Sequence, residues 1–321
     1  MTPAVEIENL TKDYEVGFLR KRRVRALDSL TLNVERGEIF GFLGANGAGK
    51  TTTIKLLMRL MYPTSGSARI LGRDIGDVSM HAGIGYLPEH PYFYDYLTAR
   101  ELVEYCAELF GYARAERRRR AADVLARVRL EEKSWDKQLR KFSKGMLQRV
   151  GLAQALVNDP KVVFLDEPMS GLDPVGRREV RDLIASLREA GATVFFCSHI
   201  LADIEVLCDR AAVLRKGRLA RVGRLDELRE GRGGERAVEL VLAGAEASRL
   251  ASALAGVEGA RMTSTPGGAR VEVPSESHVD EALRAARAAG ARLVTVQPVG
   301  NPLEELFVGE EPNGAAAQAS A

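Results

Sequence analysis

The sequence predicts an α/β fold with a parallel-sheet core, and three observations support this. The segments VVFLD (162–166) and TVFFCSH (193–199) are continuously apolar, as strands buried on both faces should be. A helical pattern at 176–190 lies between them, which is the order of a parallel β-α-β unit. Upstream, a glycine-rich stretch separates the apolar segment IFGFL from a run of apolar residues at helical spacing.

The elements before these strands follow from their periodicity. Two alternating segments, VEIENL from Val5 and SLTLNVERG from Ser29, predict a small antiparallel β subdomain. IFGFL then leads through the glycine-rich stretch into TTIKLLMRLM, a helical run that Pro63 and Gly66 end. From about Ala99 to Leu156, Arg, Glu and Ala fill the positions between apolar residues, which predicts a helical subdomain.

The last third of the chain predicts a separate domain. Glycine and charge replace the apolar pattern at EGRGGER, residues 230–236, which indicates a linker. We therefore expect a first domain at 1–230 and a second at 237–309. Strands and helices of the second alternate as βαββαβ, which predicts a small ferredoxin-like α+β domain without a catalytic motif. We expect this domain to stabilise a dimer or regulate it, and 310–321 to form a disordered tail.

Composition excludes several classes of function. The 46 basic and 44 acidic residues leave a net charge of +2, which gives no electrostatic reason to expect nucleic acid or an anionic membrane as a partner. No window approaches the roughly 20 apolar residues of a membrane span, and MTPAVEIENL lacks the features of a secretory signal. Three scattered cysteines fit a reducing compartment. These observations predict a protein that neither crosses a membrane nor is secreted.

Residues 44–51, GANGAGKT, match the phosphate-binding pattern G-x-x-x-x-G-K-[ST] between a strand and a helix. Glycines let backbone N–H groups point inward at phosphate oxygens, and the helix adds the positive end of its dipole. Lys50 supplies a charge to the β and γ phosphates, and the Thr51 hydroxyl suits Mg²⁺. The pattern predicts binding of a nucleoside triphosphate by Gly44, Asn46, Gly47, Gly49, Lys50, Thr51 and Thr52.

A second motif, VVFLDE, ends an apolar strand in two carboxylates. Asp166 is suited to hold Mg²⁺ through water, and Glu167 is suited to orient the attacking water. The segment FSKGMLQR (142–149) lies between the two motifs, and SGLD (170–173) and Ser198-His199 follow the second.

With these motifs in this order, residues 2 to about 225 resemble the ATPase subunits of ABC transporters. The resemblance implies the ABC cassette form of the P-loop NTPase fold, with ATP as the nucleotide. It implies that Tyr14 stacks on adenine, an arrangement that accepts any purine. It also implies three catalytic residues, Lys50, Glu167 and His199.

The same resemblance implies a site shared between two subunits. Ser143 and Gly145 would contact the γ-phosphate of ATP bound to the opposite subunit. Asp173 would lie at the subunit seam and couple the two sites, and His199 would hydrogen-bond the γ-phosphate and report its loss.

The motifs depart from the family pattern at two places. The family signature reads Leu-Ser-Gly-Gly-Gln, and here Lys144 and Met146 replace its first glycine and its glutamine. Lys144 can add charge toward the triphosphate. Glu89 stands where the family often has glutamine, and a carboxylate can still meet Mg²⁺ or its water. The candidate metal ligands are Thr51, Asp166 and Glu89.

Further segments carry a narrower resemblance. Pro91, Tyr92, Phe93 and Tyr94 stand where the family receives a short helix from its membrane partner, with packing inside the helical subdomain as the alternative. The SKGM signature, the segment GYLPE and PLEELF (302–307) look most like the ATPases of ABC-2 type bacterial exporters.

The leading hypothesis is an ATP-hydrolysing motor subunit that dimerises around two Mg-ATP and drives a separate membrane permease, with export implied by the narrower resemblance. A homodimer is the economical assembly because one chain keeps both halves of the shared site. We expect it in the cytoplasm, at the cytoplasmic face of the cell membrane, touching the membrane only through the permease.

Two other classes of protein fit the sequence less well. The alternative is a soluble ABC ATPase that acts on nucleic acid or ribosomes, but one cassette without long heptads does not favour it. A general P-loop kinase or GTPase would leave the signature serine segment without a role.

Overall fold

A computed structural model describes residues 2–17, 21–230 and 237–299. The chain forms two compact units, Met1–Leu225 and Asp226–Ala321. The linker at 231–236, PLEELF and the tail at 310–321 lie outside the described residues, so the predicted domain limits stay predictions.

Among its described residues the first unit contains ten strands and six α-helices, and a seventh helix begins at Leu225 and continues into the second unit. In chain order they are β1 (Val5–Val16), β2 (Arg22–Val34), β3 (Ile39–Leu43), α1 (Lys50–Leu57), β4 (Ser65–Ile70), β5 (Arg73–Asp74), β6 (Ile84–Leu87), α2 (Ala99–Leu109), α3 (Arg114–Arg127), α4 (Lys144–Leu156), β7 (Val162–Asp166), α5 (Pro174–Glu189), β8 (Thr193–Ser198), α6 (Leu201–Leu207), β9 (Arg210–Arg215), β10 (Arg218–Arg224) and α7 (Leu225–Glu230).

A six-stranded sheet in the order β10-β9-β3-β8-β7-β6 forms the core of this unit, and all its pairs except β10-β9 are parallel. Strands β3, β7 and β8 are completely buried, as their continuous apolar runs predict. The ring of Phe195 packs against Phe40, Phe42 and Phe164 at centroid distances of 5.7, 5.2 and 5.4 Å. The predicted parallel core is therefore confirmed.

The parallel arrangement places the site. The carboxyl ends of parallel neighbours lie at one edge of a sheet, where α/β proteins bind their ligands. Residues of three predicted motifs lie at this edge. Strand β3 runs into the glycine-rich loop, β7 ends at Asp166, and β8 ends next to His199. Residues far apart in sequence are thus brought to one edge.

Two subdomains accompany the core. The predicted antiparallel patch is a sheet of four strands in the order β2-β1-β4-β5. The helical subdomain contains α2, α3 and α4, but its helical pattern is interrupted more than the sequence suggests. The chain turns at Gly111, which has φ 84°, and residues 132–134 and 139–141 form short 3₁₀ turns before α4.

The second unit forms its own sheet. Its elements are β11 (Val238–Ala243), α8 (Ala247–Leu254), β12 (Arg261–Thr265), β13 (Gly268–Val273), α9 (Val279–Ala288) and β14 (Arg292–Pro298). The strands lie in the antiparallel order β12-β13-β11-β14, and apolar residues of strands and both helices form one buried cluster. This is the predicted βαββαβ order. In the described part of the chain, no helix is long and apolar enough to span a membrane.

Candidate nucleotide-binding site

The glycine-rich loop after β3 depends on glycine for its conformation. Gly47 and Gly49 have φ angles of 79° and 110°, in the left-handed region that L residues rarely adopt. A Cβ on Gly49 would also lie 2.7 Å from the carbonyl oxygen of Ala26. The loop can therefore curl tightly before α1 begins at Lys50, and its backbone N–H groups can surround an anion.

Lys50 is held inside this loop and is only 6% exposed. Its Nζ donates to the carbonyl oxygen of Gly44 at 2.6 Å and to that of Ala45 at 3.4 Å. The same Nζ lies 3.6 Å from Oε1 of Glu167. The ammonium is thus fixed between the loop and a buried carboxylate, where a bound phosphate would meet it.

Glu167 directly follows β7 and is nearly buried, with φ 51° in the left-handed region. Few residues other than glycine adopt this conformation. Its backbone N–H donates to the carbonyl oxygen of Cys197 at 3.1 Å, and its Oε2 lies 2.9 Å from Nδ1 of His199. The turn thereby directs one carboxylate between Lys50 on one side and His199 on the other.

Asp166 is completely buried, and neither of its carboxylate oxygens meets a hydrogen-bond donor at bonding geometry. Burial raises the pKa of Asp166 to about 6; the Thr51 hydroxyl and Lys50 act to lower it, and Glu89 and Glu167 raise it further. Oε1 of Glu167 is likewise buried without a hydrogen bond. Buried carboxylate oxygens that accept no hydrogen bond and lie beside a hydroxyl suit a hard divalent cation.

The residues described by the structure contain no cluster of three or more His, Cys, Asp or Glu side chains that could hold a metal ion by themselves. Mg²⁺ usually takes only one or two protein carboxylates and completes its shell with water and substrate phosphates. The donor set around Asp166 therefore fits Mg²⁺ accompanied by a phosphate ligand better than a site built from protein ligands alone.

A cavity of about 360 Å³ collects most of the predicted residues. Glu89 belongs to its lining although its side chain is 43% exposed. Tyr14 lies next to the cavity, because its hydroxyl is 3.4 Å from Oγ1 of Thr52 and donates to Sδ of Met61 at 3.2 Å. The predicted residues in the lining are Asn46, Gly47, Gly49, Lys50, Thr51, Thr52, Glu89 and Glu167.

Ser143, Gly145 and Asp173 line a different cavity of about 870 Å³. Ser143 caps α4 by accepting from the N–H of Met146 at 3.3 Å, and Asp173 caps α5 by accepting from the N–H of Gly176 at 2.7 Å. Within one chain, the predicted residues therefore form two separate groups.

The sequence did not predict two buried polar contacts near these two groups of residues. Gln148 is buried in α4, and its Nε2 donates to the carbonyl oxygen of Pro168 at 2.9 Å, next to Glu167. Asp203, two residues into α6, is buried and paired with Arg177 of α5. A polar residue within an otherwise apolar helical face is the signal that could have found both.

The aromatic segment after Glu89 is largely on the surface. Tyr92 is 92% exposed, and Tyr94 and Tyr96 are also exposed, whereas Phe93 is half-buried. Packing inside the helical subdomain therefore accounts for Phe93 alone among these aromatic side chains.

A glycine loop that leads into α1, a buried lysine, and a carboxylate pair at the end of a neighbouring strand define the class of protein, a P-loop nucleoside triphosphatase. Comparison with known proteins gives the family. A family model described as ABC transporter matches residues 27–170. The chain belongs to the ABC transporter ATP-binding proteins, which are ATPases.

Three similar proteins support this assignment. An uncharacterised ABC transporter ATP-binding protein of Synechocystis is 50% identical over 252 residues, which cover 78% of this chain and 70% of that protein. The bacitracin transport ATP-binding protein BcrA of Bacillus licheniformis is 40% identical over 233 residues, 72% of each chain. A dimeric post-hydrolysis structure of the ATP-binding cassette MJ0796 with ADP and Pi superimposes with a TM-score of 0.64 at 28% identity, covering 72% of this chain and 100% of that one.

Proposed function

We propose that this protein is the ATP-hydrolysing motor subunit of a membrane transporter, working as a homodimer that closes around two Mg-ATP and drives a separate permease. The observation that carries the proposal is the position of Glu167 between Lys50 and His199 at the edge of the P-loop cavity. A carboxylate there can orient and deprotonate the water that attacks the γ-phosphate.

The charged and hydroxyl residues in this cavity and next to it have distinct roles in the proposal. Lys50 binds the β and γ phosphates, and His199 holds the terminal phosphate while its Nδ1 faces Glu167. Thr51, Asp166 and Glu89 would hold Mg²⁺, which supplies charge neutralisation at the phosphates when bound. Burial raises the pKa of Asp166 to about 6, which is still below neutral pH, so the carboxylate remains available to the cation there.

The homodimer is supported by the separation of the two groups of residues. Ser143, Gly145 and Asp173 line their own cavity, and in the proposed dimer a second copy of the chain brings them to the nucleotide. Three lysines of that cavity, Lys137, Lys141 and Lys144, form no ion pair with a carboxylate in the described part of the chain. Unpaired cations beside Ser143 favour an anionic ligand such as a triphosphate.

Tyr14 is proposed as the adenine-stacking residue, and its removal should weaken the binding of all purine nucleotides by the same factor. In Tyr14→Ala we expect ATP and GTP affinities to fall by the same factor, about 10-fold, because stacking is worth roughly 1 to 3 kcal/mol and does not read the base edge. Tyr14→Phe keeps the ring and is the matched control. Titration with fluorescent ATP and GTP analogues measures both, and an unchanged affinity in Tyr14→Ala would refute stacking.

Besides the segment 91–94 that the family resemblance implicates, the permease is proposed to dock in a groove of about 310 Å³ between the end of α1 and α2. Leu60, Leu109 and Phe110 line it and are 63%, 68% and 42% exposed, which leaves an apolar surface uncovered. A short amphipathic helix of the permease is the occupant that such a groove fits.

The proposal also includes export as the direction of transport and membership of the ABC-2 type. The similarity to a bacitracin transport protein supports both.

A charge placed in this groove should release the permease while leaving the ATP site intact. In Leu109→Asp we expect at least a 10-fold loss of the polytopic membrane protein that copurifies from detergent-solubilised membranes, since a buried unpaired charge costs several kcal/mol. Val222→Asp, on the edge strand β10 and outside the groove lining, is the control. Equal recovery with both variants would contradict docking here, whereas unaltered nucleotide binding in both is expected.

A further inference from the structure

A partly buried ion pair, with the carboxylate inside and the guanidinium half-buried, connects α5 with α6. Asp203 of α6 is 3% exposed, and its Oδ2 accepts a hydrogen bond from Nη2 of Arg177 at 2.6 Å. Nη1 of Arg181, one turn further along α5, lies 4.0 Å from Oδ1. Because a buried carboxylate needs a close cation, this contact holds the two helices together at one defined point.

Each partner of the pair lies about one turn from a predicted site residue. Helix α6 begins two residues after His199. In its first turn the N–H of Asp203 donates to the carbonyl oxygen of Ile200 at 3.2 Å. Helix α5 begins directly after Asp173, and the N–H of Arg177 donates to the carbonyl oxygen of Asp173 at 2.9 Å. A shift at Asp173 can therefore reach the ion pair through one turn of α5, and a shift at His199 can reach it through Ile200 and the first turn of α6.

The contacts form a continuous connection between the two cavities. It starts at Glu167 in the nucleotide cavity, whose Oε2 is 2.9 Å from Nδ1 of His199. From His199 it runs through the start of α6 to Asp203, across to Arg177, and back along α5 to Asp173 in the cavity that Ser143 and Gly145 also line. Packed elements joined in this way can transmit a displacement between two sites.

We propose that Asp203 and Arg177 are positioning residues that couple the two ATP sites of the dimer. The inference rests on the proposed function, in which Asp173 lies at the subunit seam beside the partner's nucleotide. When the γ-phosphate leaves, His199 loses its contact and the start of α6 relaxes. The ion pair carries that change to the start of α5 and moves Asp173, so each site senses the state of the other.

The test is the cooperativity of ATP hydrolysis in Asp203→Asn. This substitution keeps the size of the side chain and removes its charge. We expect the Hill coefficient to fall from about 2 in the wild type toward about 1, the limits for two coupled and two independent sites. The affinity for a fluorescent ATP analogue should change by less than about twofold, because Asp203 does not line the nucleotide cavity.

Arg188→Gln is the matched control. Arg188 lies near the other end of α5 and pairs with Asp209 at 2.7 Å, so its loss also breaks an ion pair of this helix but not the connection to Asp173. It should keep the wild-type Hill coefficient. Arg177→Lys provides a second test if Asp203→Asn fails to fold, since it keeps the positive charge but loses the planar hydrogen-bonding fork. We expect it to lower the Hill coefficient as well.

The outcomes separate coupling from simple stabilisation. A reduced melting temperature with an unchanged Hill coefficient in both variants would assign the pair a purely structural role and overturn the inference. A wild-type Hill coefficient of about 1 would overturn it too, while leaving the proposed ATPase and dimer in place. Absence of an ATP-dependent dimer in the wild type would instead overturn the proposed function, and the coupling with it.

Discussion

Glu167→Gln is expected to reduce ATP hydrolysis by at least about 100-fold, the usual contribution of a general base, while ATP still binds. The amide has the same size as the carboxylate but cannot accept the proton of the attacking water. It also removes a negative charge that lies 3.6 Å from Lys50 and that would otherwise repel the γ-phosphate. The variant should therefore accumulate as an ATP-bound dimer, which gel filtration with and without Mg-ATP would show.

Glu189→Gln is the control for this experiment. It makes the same chemical change on an exposed residue at the end of α5, outside both cavities. We expect it to turn over ATP like the wild type and to show no accumulated dimer. Full turnover by Glu167→Gln would exclude the assigned role, and loss of ATP binding would indicate that the carboxylate shapes the pocket instead.

Lys50→Ala is expected to weaken ATP binding by about 100-fold or more and to abolish hydrolysis, since charge-assisted hydrogen bonds to phosphate contribute roughly 1.5 to 3 kcal/mol each. The ammonium is already in place, bonded to the carbonyl oxygen of Gly44 at 2.6 Å. Its removal takes away both the phosphate contact and this support of the loop. A titration with a fluorescent ATP analogue measures the loss.

Lys55→Ala separates this effect from a general loss of positive charge on α1. Lys55 belongs to the same helix but does not line the P-loop cavity, so its removal should leave ATP affinity within about twofold of the wild type. Circular dichroism would verify that both variants are folded. An unchanged affinity in folded Lys50→Ala would argue against the phosphate-binding role of the loop.

The sequence was most informative where a local pattern determines the structure. The apolar run before Asp166 predicts a buried strand, and the glycines before Lys50 predict a loop that only they can form. Both predictions are confirmed, because burial and left-handed backbone conformations act on individual residues. The order of the motifs along the chain gave the family resemblance, and the resemblance indicated which residues share a site. Hydrophobic patterns alone do not give that information.

Contacts between distant elements could not be predicted in the same way. The bond from Gln148 to Pro168 and the pair Asp203–Arg177 depend on how helices pack, and their partners lie 20 and 26 positions apart. A buried Asp in a short helix shows that a cation must be near, but several arginines of α5 could serve. The end of α2 before Gly111 is instead a local effect, because Gly111 has φ 84° and its N–H donates to the carbonyl oxygen of Glu108 at 2.8 Å, as in a glycine helix stop.

The left-handed conformation of Glu167 has a consequence for the evolution of stability in this protein. A non-glycine residue held in this region costs the fold roughly 1 to 2 kcal/mol, a sizeable share of the net stability of a domain. Glycine would relieve that cost but would remove the carboxylate from between Lys50 and His199. At this position a substitution that raises thermostability would lower ATP turnover. Selection for stability alone would therefore favour loss of the Glu167 carboxylate and of the hydrolysis it supports.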